Sequence, residues 1–109
     1  MMEYGLSVFV VEELRGVFRL FPDIVEVRVF GSRAKGNYTE HSDIDLAVTS
    51  DKGRIPFDEL MDINLRIEDL GLLYKVDVID YRKSQGSPIG EHIDRVGKIL
   101  YMRGLTVQG

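Results

Sequence analysis

Two short runs hold the residues whose types and spacing could do chemistry: Gly31-Ser32-Arg33-Ala34-Lys35-Gly36 and Ser42-Asp43-Ile44-Asp45-Leu46. Side chains two apart on a strand share a face, so Asp43 and Asp45 should stand side by side, with Cβ atoms roughly 6.5–7 Å apart. Two carboxylates placed this way repel unless a positive charge lies between them. Oxygen-only ligands of this kind suit Mg²⁺, or Mn²⁺, better than zinc. A third carboxylate, Asp77, is flanked by Val76 and Val78 and points away from both. If its strand neighbours the Asp-x-Asp strand, Asp43, Asp45 and Asp77 form a triad. Such a triad can hold two divalent ions about 3.5–4 Å apart, clamping the attacking and leaving oxygens of a phosphoryl displacement. Asp80 is an odd number of residues from Asp77 and is expected to face the other way.

The glycine run supplies the complementary half. Gly31 directly follows a strand pattern, where a tight turn and close phosphate approach favour a residue without Cβ. Ser32 adds a hydroxyl, and the loop amides can cradle phosphate oxygens. Arg33 and Lys35 are expected to neutralise phosphate charge, the first as a planar fork and the second as a point charge. Gly31 and Gly36 have the glycine spacing of a P-loop. Asn37-Tyr38 stands where that motif requires Lys-Ser/Thr, so the P-loop reading fails.

These residues need elements to position them. Leu6, Val10, Leu14, Val17 and Phe18 recur at helical spacing and predict an amphipathic helix, broken by Pro22-Asp23. Val25, Val27 and Val29 alternate with Glu26, Arg28 and Phe30, a half-buried strand running into Gly31. Ile44, Leu46 and Val48 give the second strand a dry side opposite its carboxylates. Residues 50–55 read as a polar loop. Pro56 suits the first turn of a helix through Phe57, Leu60, Met61, Asn64 and Ile67, whose stripe Phe57-Leu60-Met61 reads as core. Gly71 suits its C-cap. Lys75 to Asp80 is a third strand, and residues 84–87 a loop. Ser87-Pro88 opens a last helix marked by Ile89, Ile93 and Val96, and Lys98 to Met102 is a short fourth strand. The alternation predicts an α/β (α+β) sandwich: a small mixed β-sheet of about four strands with helices packed on it, one domain over residues 1–109.

Taken together, the Gly31-Ser32 run, the Asp43-Ile44-Asp45 strand and Val76-Asp77-Val78 resemble the DNA polymerase β-like nucleotidyltransferase superfamily. More narrowly, the chain is similar to the minimal nucleotidyltransferases, the antitoxin half of HEPN/MNT toxin–antitoxin pairs. The resemblance spans almost the whole chain, including its ending Ile93 to Tyr101. Family members often carry Arg where this chain has Lys35. The resemblance implies that Gly31 and Ser32 hold the triphosphate of ATP, and that Asp43 and Asp45 bind Mg²⁺. Asp77 would help bind a second ion and promote deprotonation of an acceptor hydroxyl. It further implies transfer of AMP to a tyrosine of a HEPN-type toxin. Two alternatives stay open: a non-catalytic, nucleotide-binding antitoxin acting by stoichiometric contact, and a transferase acting on a small-molecule hydroxyl.

Composition narrows the rest. With 109 residues there is room for one core, and an acceptor is expected in trans, on a partner protein. No cysteine means no disulfide framework, no thiolate–zinc site and no thiol nucleophile. The 14 basic residues against 18 acidic ones leave a net charge of −4, which argues against nucleic acid as a partner. No signal peptide and no bilayer-length apolar run is visible, so the cytoplasm is the expected compartment, with no membrane. Self-association is left open. His41 reads as a solvated loop residue, His92 as structural or surface, and Ser42 as a brace for the strand. Tyr38 is equally an exposed loop tyrosine or a platform for a base.

Overall fold

Alternating valines build one of the two inner strands of the sheet. The computed structural model describes residues 2–104; Met1 and residues 105–109, the two ends of the expected domain, lie outside them. The elements in chain order are β1 (Met2–Glu3), β2 (Leu6–Ser7), α1 (Val8–Arg19), β3 (Ile24–Phe30), α2 (Ser32–Lys35) and β4 (Ile44–Ser50). They continue with α3 (Phe57–Glu68), β5 (Val76–Asp80), α4 (Tyr81–Ser84), α5 (Pro88–Val96) and β6 (Lys98–Met102). The main sheet has the order β5-β4-β3-β6. β3 is antiparallel to β4 and β6, while β4 and β5 are parallel and joined through α3. This is the mixed four-stranded α/β sheet expected from the alternation of elements.

The two faces of the sheet are covered differently. On one, Val27, Val29, Ile44, Leu46 and Val48 are buried with Val11, Leu14, Val17 and Phe18 of α1 and Ile63 and Ile67 of α3. On the other, Phe30 and Ala47 pack against Ile93 of α5, with Ile79 and Tyr81 beside them. Strand alternation therefore puts Asp45 on the α5 face, between the apolar Ile44 and Leu46 of the opposite face.

The structure departs from the sequence expectations in several places; the C-cap of α3, for one, is Asp69 and not Gly71. Helix α1 begins at Val8 and not at Leu6, because the Ser7 hydroxyl caps it by accepting from Val10 N at 3.3 Å. Leu6 instead pairs with Glu3 in a small hairpin turning at Tyr4-Gly5. A single helical turn, α4, follows β5 directly, with the Asp80 carboxylate accepting from Arg82 N at 3.0 Å. The stripe on α3 is core only at Leu60, which is half-buried against it: Phe57 is 77% exposed and Met61 46%, while Ile63 and Ile67 turn inward. Helical periodicity was present in both sets, and only tertiary packing chose between them.

Candidate active site

Pairing alone gathers the acidic residues. Phe30, the last residue of β3, is the register partner of Asp45, and Asp45 is the register partner of Asp77 across the parallel pair. Asp43 lies one residue before β4, whose first amide, Ile44 N, donates to Lys75 O at 2.9 Å. Gly31 and Ser32 follow β3 immediately. The end of β3 and the starts of β4 and β5 thus bring Gly31, Ser32, Asp43, Asp45 and Asp77 to one end of the sheet.

The turn is shaped by Gly31. Its φ of 72° and ψ of −152° belong to a region that residues with a Cβ avoid. A Cβ at this position would collide with Asp45 Oδ2. Gly31 caps α2 without a side-chain hydrogen bond, and the turn closes through Lys35 N to Gly31 O at 3.1 Å and Gly36 N to Ser32 O at 2.9 Å. Ser32 is half-buried and Lys35 is exposed.

Arg33 corrects the expectation that it meets phosphate. It is 2% exposed, among the most deeply buried large side chains. Its fork donates to Ser42 O from Nη2 at 2.8 Å and from Nε at 3.2 Å, and to Tyr4 O from Nη1 at 3.0 Å. The rings of Tyr38 and Tyr74 lie 5.3 and 5.0 Å from its guanidinium carbon. Two carbonyls and two aromatic faces replace solvent around the charge. Arg33 and Lys35 are two apart on a helical turn, so they diverge: one goes in, the other out. Arg33 therefore anchors the chain before Asp43. Tyr38, weighed as a base-stacking residue, gives its ring to Arg33 and to the space above Gly5, where a Cβ would clash with it. Ser42 braces the same loop, its Oγ accepting from Thr39 N at 2.9 Å.

Asp45 is the electrostatic centre. Burial pushes its carboxyl above the usual carboxylate range, and the charges of Asp77 and Asp43 push it further; the Lys75 ammonium pulls it back. Lys75 also reaches Asp77, with Nζ 3.9 Å from Oδ1. Among the described residues no three His, Cys, Asp or Glu side chains are gathered closely enough to grip a metal ion. The donor set fits a hard divalent cation in kind, since it is all carboxylate and carries mutual repulsion that a cation would relieve.

Two residues at this site escaped sequence reasoning. His92 Nε2 accepts from Gly31 N at 3.3 Å, and its ring stands edge-on to Phe30 with centroids 6.2 Å apart. Nothing in the spacing of α5 marks it. Lys75 was legible in principle, since it lies two residues before Asp77 and strand residues two apart share a face. His41 is exposed, as expected. Asp80 serves structure: it is buried, and its Oδ2 accepts from Ile55 N at 2.8 Å.

The chain can be set beside known proteins. The family model described as "Polymerase beta, Nucleotidyltransferase" matches residues 12–104. Among solved structures, a "toxin-antitoxin with AMP-PNP" is similar at a TM-score of 0.67 and 22% identity, covering 86% of this chain and 74% of that one. A mutant of the toxin-antitoxin MntA-HpeT gives a TM-score of 0.65 at 19% identity, with the same coverage of 86% and 74%. A putative nucleotidyltransferase from Sulfolobus solfataricus gives 0.56 at 28% identity, covering 85% of this chain and 77% of that one. No curated protein matches the sequence.

Proposed function

Because this chain belongs to the polymerase β nucleotidyltransferase family, we propose that it transfers AMP from ATP to a hydroxyl of a partner protein, a HEPN-type toxin that it silences as an antitoxin. The observation that carries the reading is the register pairing of Asp45 with Asp77, beside Asp43 and the Gly31-Ser32 turn, at one end of the sheet. Two solved structures of this fold are described as toxin–antitoxins, one of them with AMP-PNP, which supports both the nucleotide and the partner class.

Asp43, Asp45 and Asp77 would hold Mg²⁺, with Mn²⁺ as a substitute. A bound divalent ion supplies neutralisation of the triphosphate and polarisation of the α-phosphate. The Gly31-Ser32 turn presents its amides and hydroxyl to phosphate oxygens. Lys35, exposed on that turn, offers further positive charge. Asp77 accepts the proton of the acceptor hydroxyl. The acceptor oxygen then bonds the α-phosphorus in line, the bond to the bridging oxygen breaks, and pyrophosphate leaves. The half-buried setting of Asp45 strengthens these interactions relative to open water.

The test is incubation with α-labelled ATP, Mg²⁺ and the HEPN-type partner. Label should pass to the partner with wild type and be lost with Asp43→Asn plus Asp45→Asn. Neutralisation that persists without labelling would replace the enzyme reading with stoichiometric binding.

A further inference from the structure

We propose that His92 is a positioning residue for the nucleotide: by accepting the Gly31 amide on Nε2 it locks the phosphate turn in place over Asp45. The inference rests on the nucleotidyl-transfer reading and adds a residue to it. Gly31 lies just beyond the ladder of β3, whose last register pairs are Phe30 with Asp45 and Val29 with Lys98. Its backbone occupies a region open to glycine alone, where little in the residue itself fixes the peptide plane. The hydrogen bond to His92 at 3.3 Å supplies that restraint from outside the turn.

The imidazole is itself well placed to do so. Its neighbour Ile93 is fully buried with Phe30 and Ala47, so the backbone that carries the ring is anchored to the sheet. The ring then meets Phe30 edge-on, at an interplanar angle of 80°. Helix α5 covers the same sheet face that carries Asp45, and His92 thereby ties three parts together: the helix, the turn and the acidic centre. Gly31 packs directly on Asp45 Oδ2. A shift of the turn would therefore move the phosphate-facing amides relative to the carboxylates that meet the same ligand. Displacements of about 1 Å at such a site are enough to cost a reaction heavily. The acceptor role places the lone pair on Nε2 and the proton on Nδ1.

Two variants separate the acceptor from the ring. His92→Phe keeps an aromatic edge against Phe30 and removes the acceptor; His92→Gln loses the ring and offers an amide oxygen. In the ligand-free protein, ¹⁵N spectra should show Nε2 unprotonated. Gly31 amide exchange should accelerate about tenfold in His92→Phe and stay near wild type in His92→Gln. Calorimetry with ATP and Mg²⁺ should then show affinity about tenfold weaker in His92→Phe and within about threefold of wild type in His92→Gln. Unchanged Gly31 exchange in His92→Phe, equal ATP affinity in His92→Phe and wild type, or a His92→Gln variant as weak as His92→Phe would each overturn the proposal. A wild type that binds no ATP would instead defeat the nucleotide reading, while Gly31 exchange would still decide whether His92 holds the turn.

Discussion

Gly31 sits against the carboxylate of Asp45 so closely that it has no room for a Cβ. The contact joins the Gly31-Ser32 turn to the acidic centre. Gly31→Ala meets two penalties at once, the collision with Oδ2 and a φ of 72°. It should cost about 1–3 kcal/mol of stability, measured by denaturant titration, and abolish labelling of the partner. Full activity with Ala at this position would contradict the geometry.

Arg33 should behave as a structural residue that cannot be replaced by charge alone. Arg33→Lys keeps the charge but loses the fork that spans Ser42 O and Tyr4 O between two rings. Both Arg33→Lys and Arg33→Ala should lower stability by roughly 2–4 kcal/mol, because each empties or mismatches a buried site and strips half-buried carbonyls of their donors. Thermal melts check this. A direct phosphate role would predict the opposite pattern, with Arg33→Lys stable and mainly weak in ATP affinity.

Asp45 should trade stability against function. Its carboxyl is raised by burial and by Asp77 and Asp43, so the folded protein carries a charge it accommodates poorly. Asp45→Asn removes that charge. The variant should melt at or above the wild-type temperature at pH 7 while losing nucleotidyl transfer. Millimolar Mg²⁺ should raise the melting temperature of wild type and leave Asp45→Asn unmoved.

The far end of the sheet predicts a pH effect on stability. Glu59 Oε2 is buried without a hydrogen-bond partner, and Asp23 stands beside it. Burial, with the neighbouring Asp23 carboxylate adding to it, raises the Glu59 carboxyl to about 7. Burial also works to raise Asp23, but hydrogen bonds from Glu59 and Ser50 outweigh it and hold Asp23 below its usual value. A raised acid contributes stability that is full below its unfolded value and lost as pH rises through 7. Unfolding free energy should therefore fall by about 1 kcal/mol between pH 5.5 and 8, less than the full linkage value because Glu59 keeps partial solvent access. Glu59→Gln should flatten that slope in denaturant titrations. Asp23, held low, acts in the other direction only at much lower pH.

The two sets of apolar residues on α3 should separate cleanly. Ile63 is fully buried and Phe57 is 77% exposed. Ile63→Ala should cost about 2–4 kcal/mol, and Phe57→Ser should stay within about 0.5 kcal/mol of wild type. Equal losses in calorimetric melts would mean that the stripe is core after all.

Local pattern was enough to reveal the four strands of the main sheet and the three long helices, and to single out the acidic residues. Alternating valines mark β3, and Asp43-Ile44-Asp45 shows one polar and one apolar face, because strand periodicity is written into every second residue. Asp77 could be assigned a face, but whether its strand neighbours β4 is a question of sheet order. Only the fold answered it, by pairing Asp45 with Asp77. The same limit explains the errors. Arg33 looked like a phosphate ligand because its charge is visible in sequence, whereas the carbonyls and rings that enclose it come from Tyr4, Tyr38, Ser42 and Tyr74. His92 lies 61 positions from the Gly31 amide it accepts. Residue types and short-range spacing determined which groups are available for chemistry. Packing between distant segments decided which charges are solvated, which are enclosed, and which residues hold the turn in place.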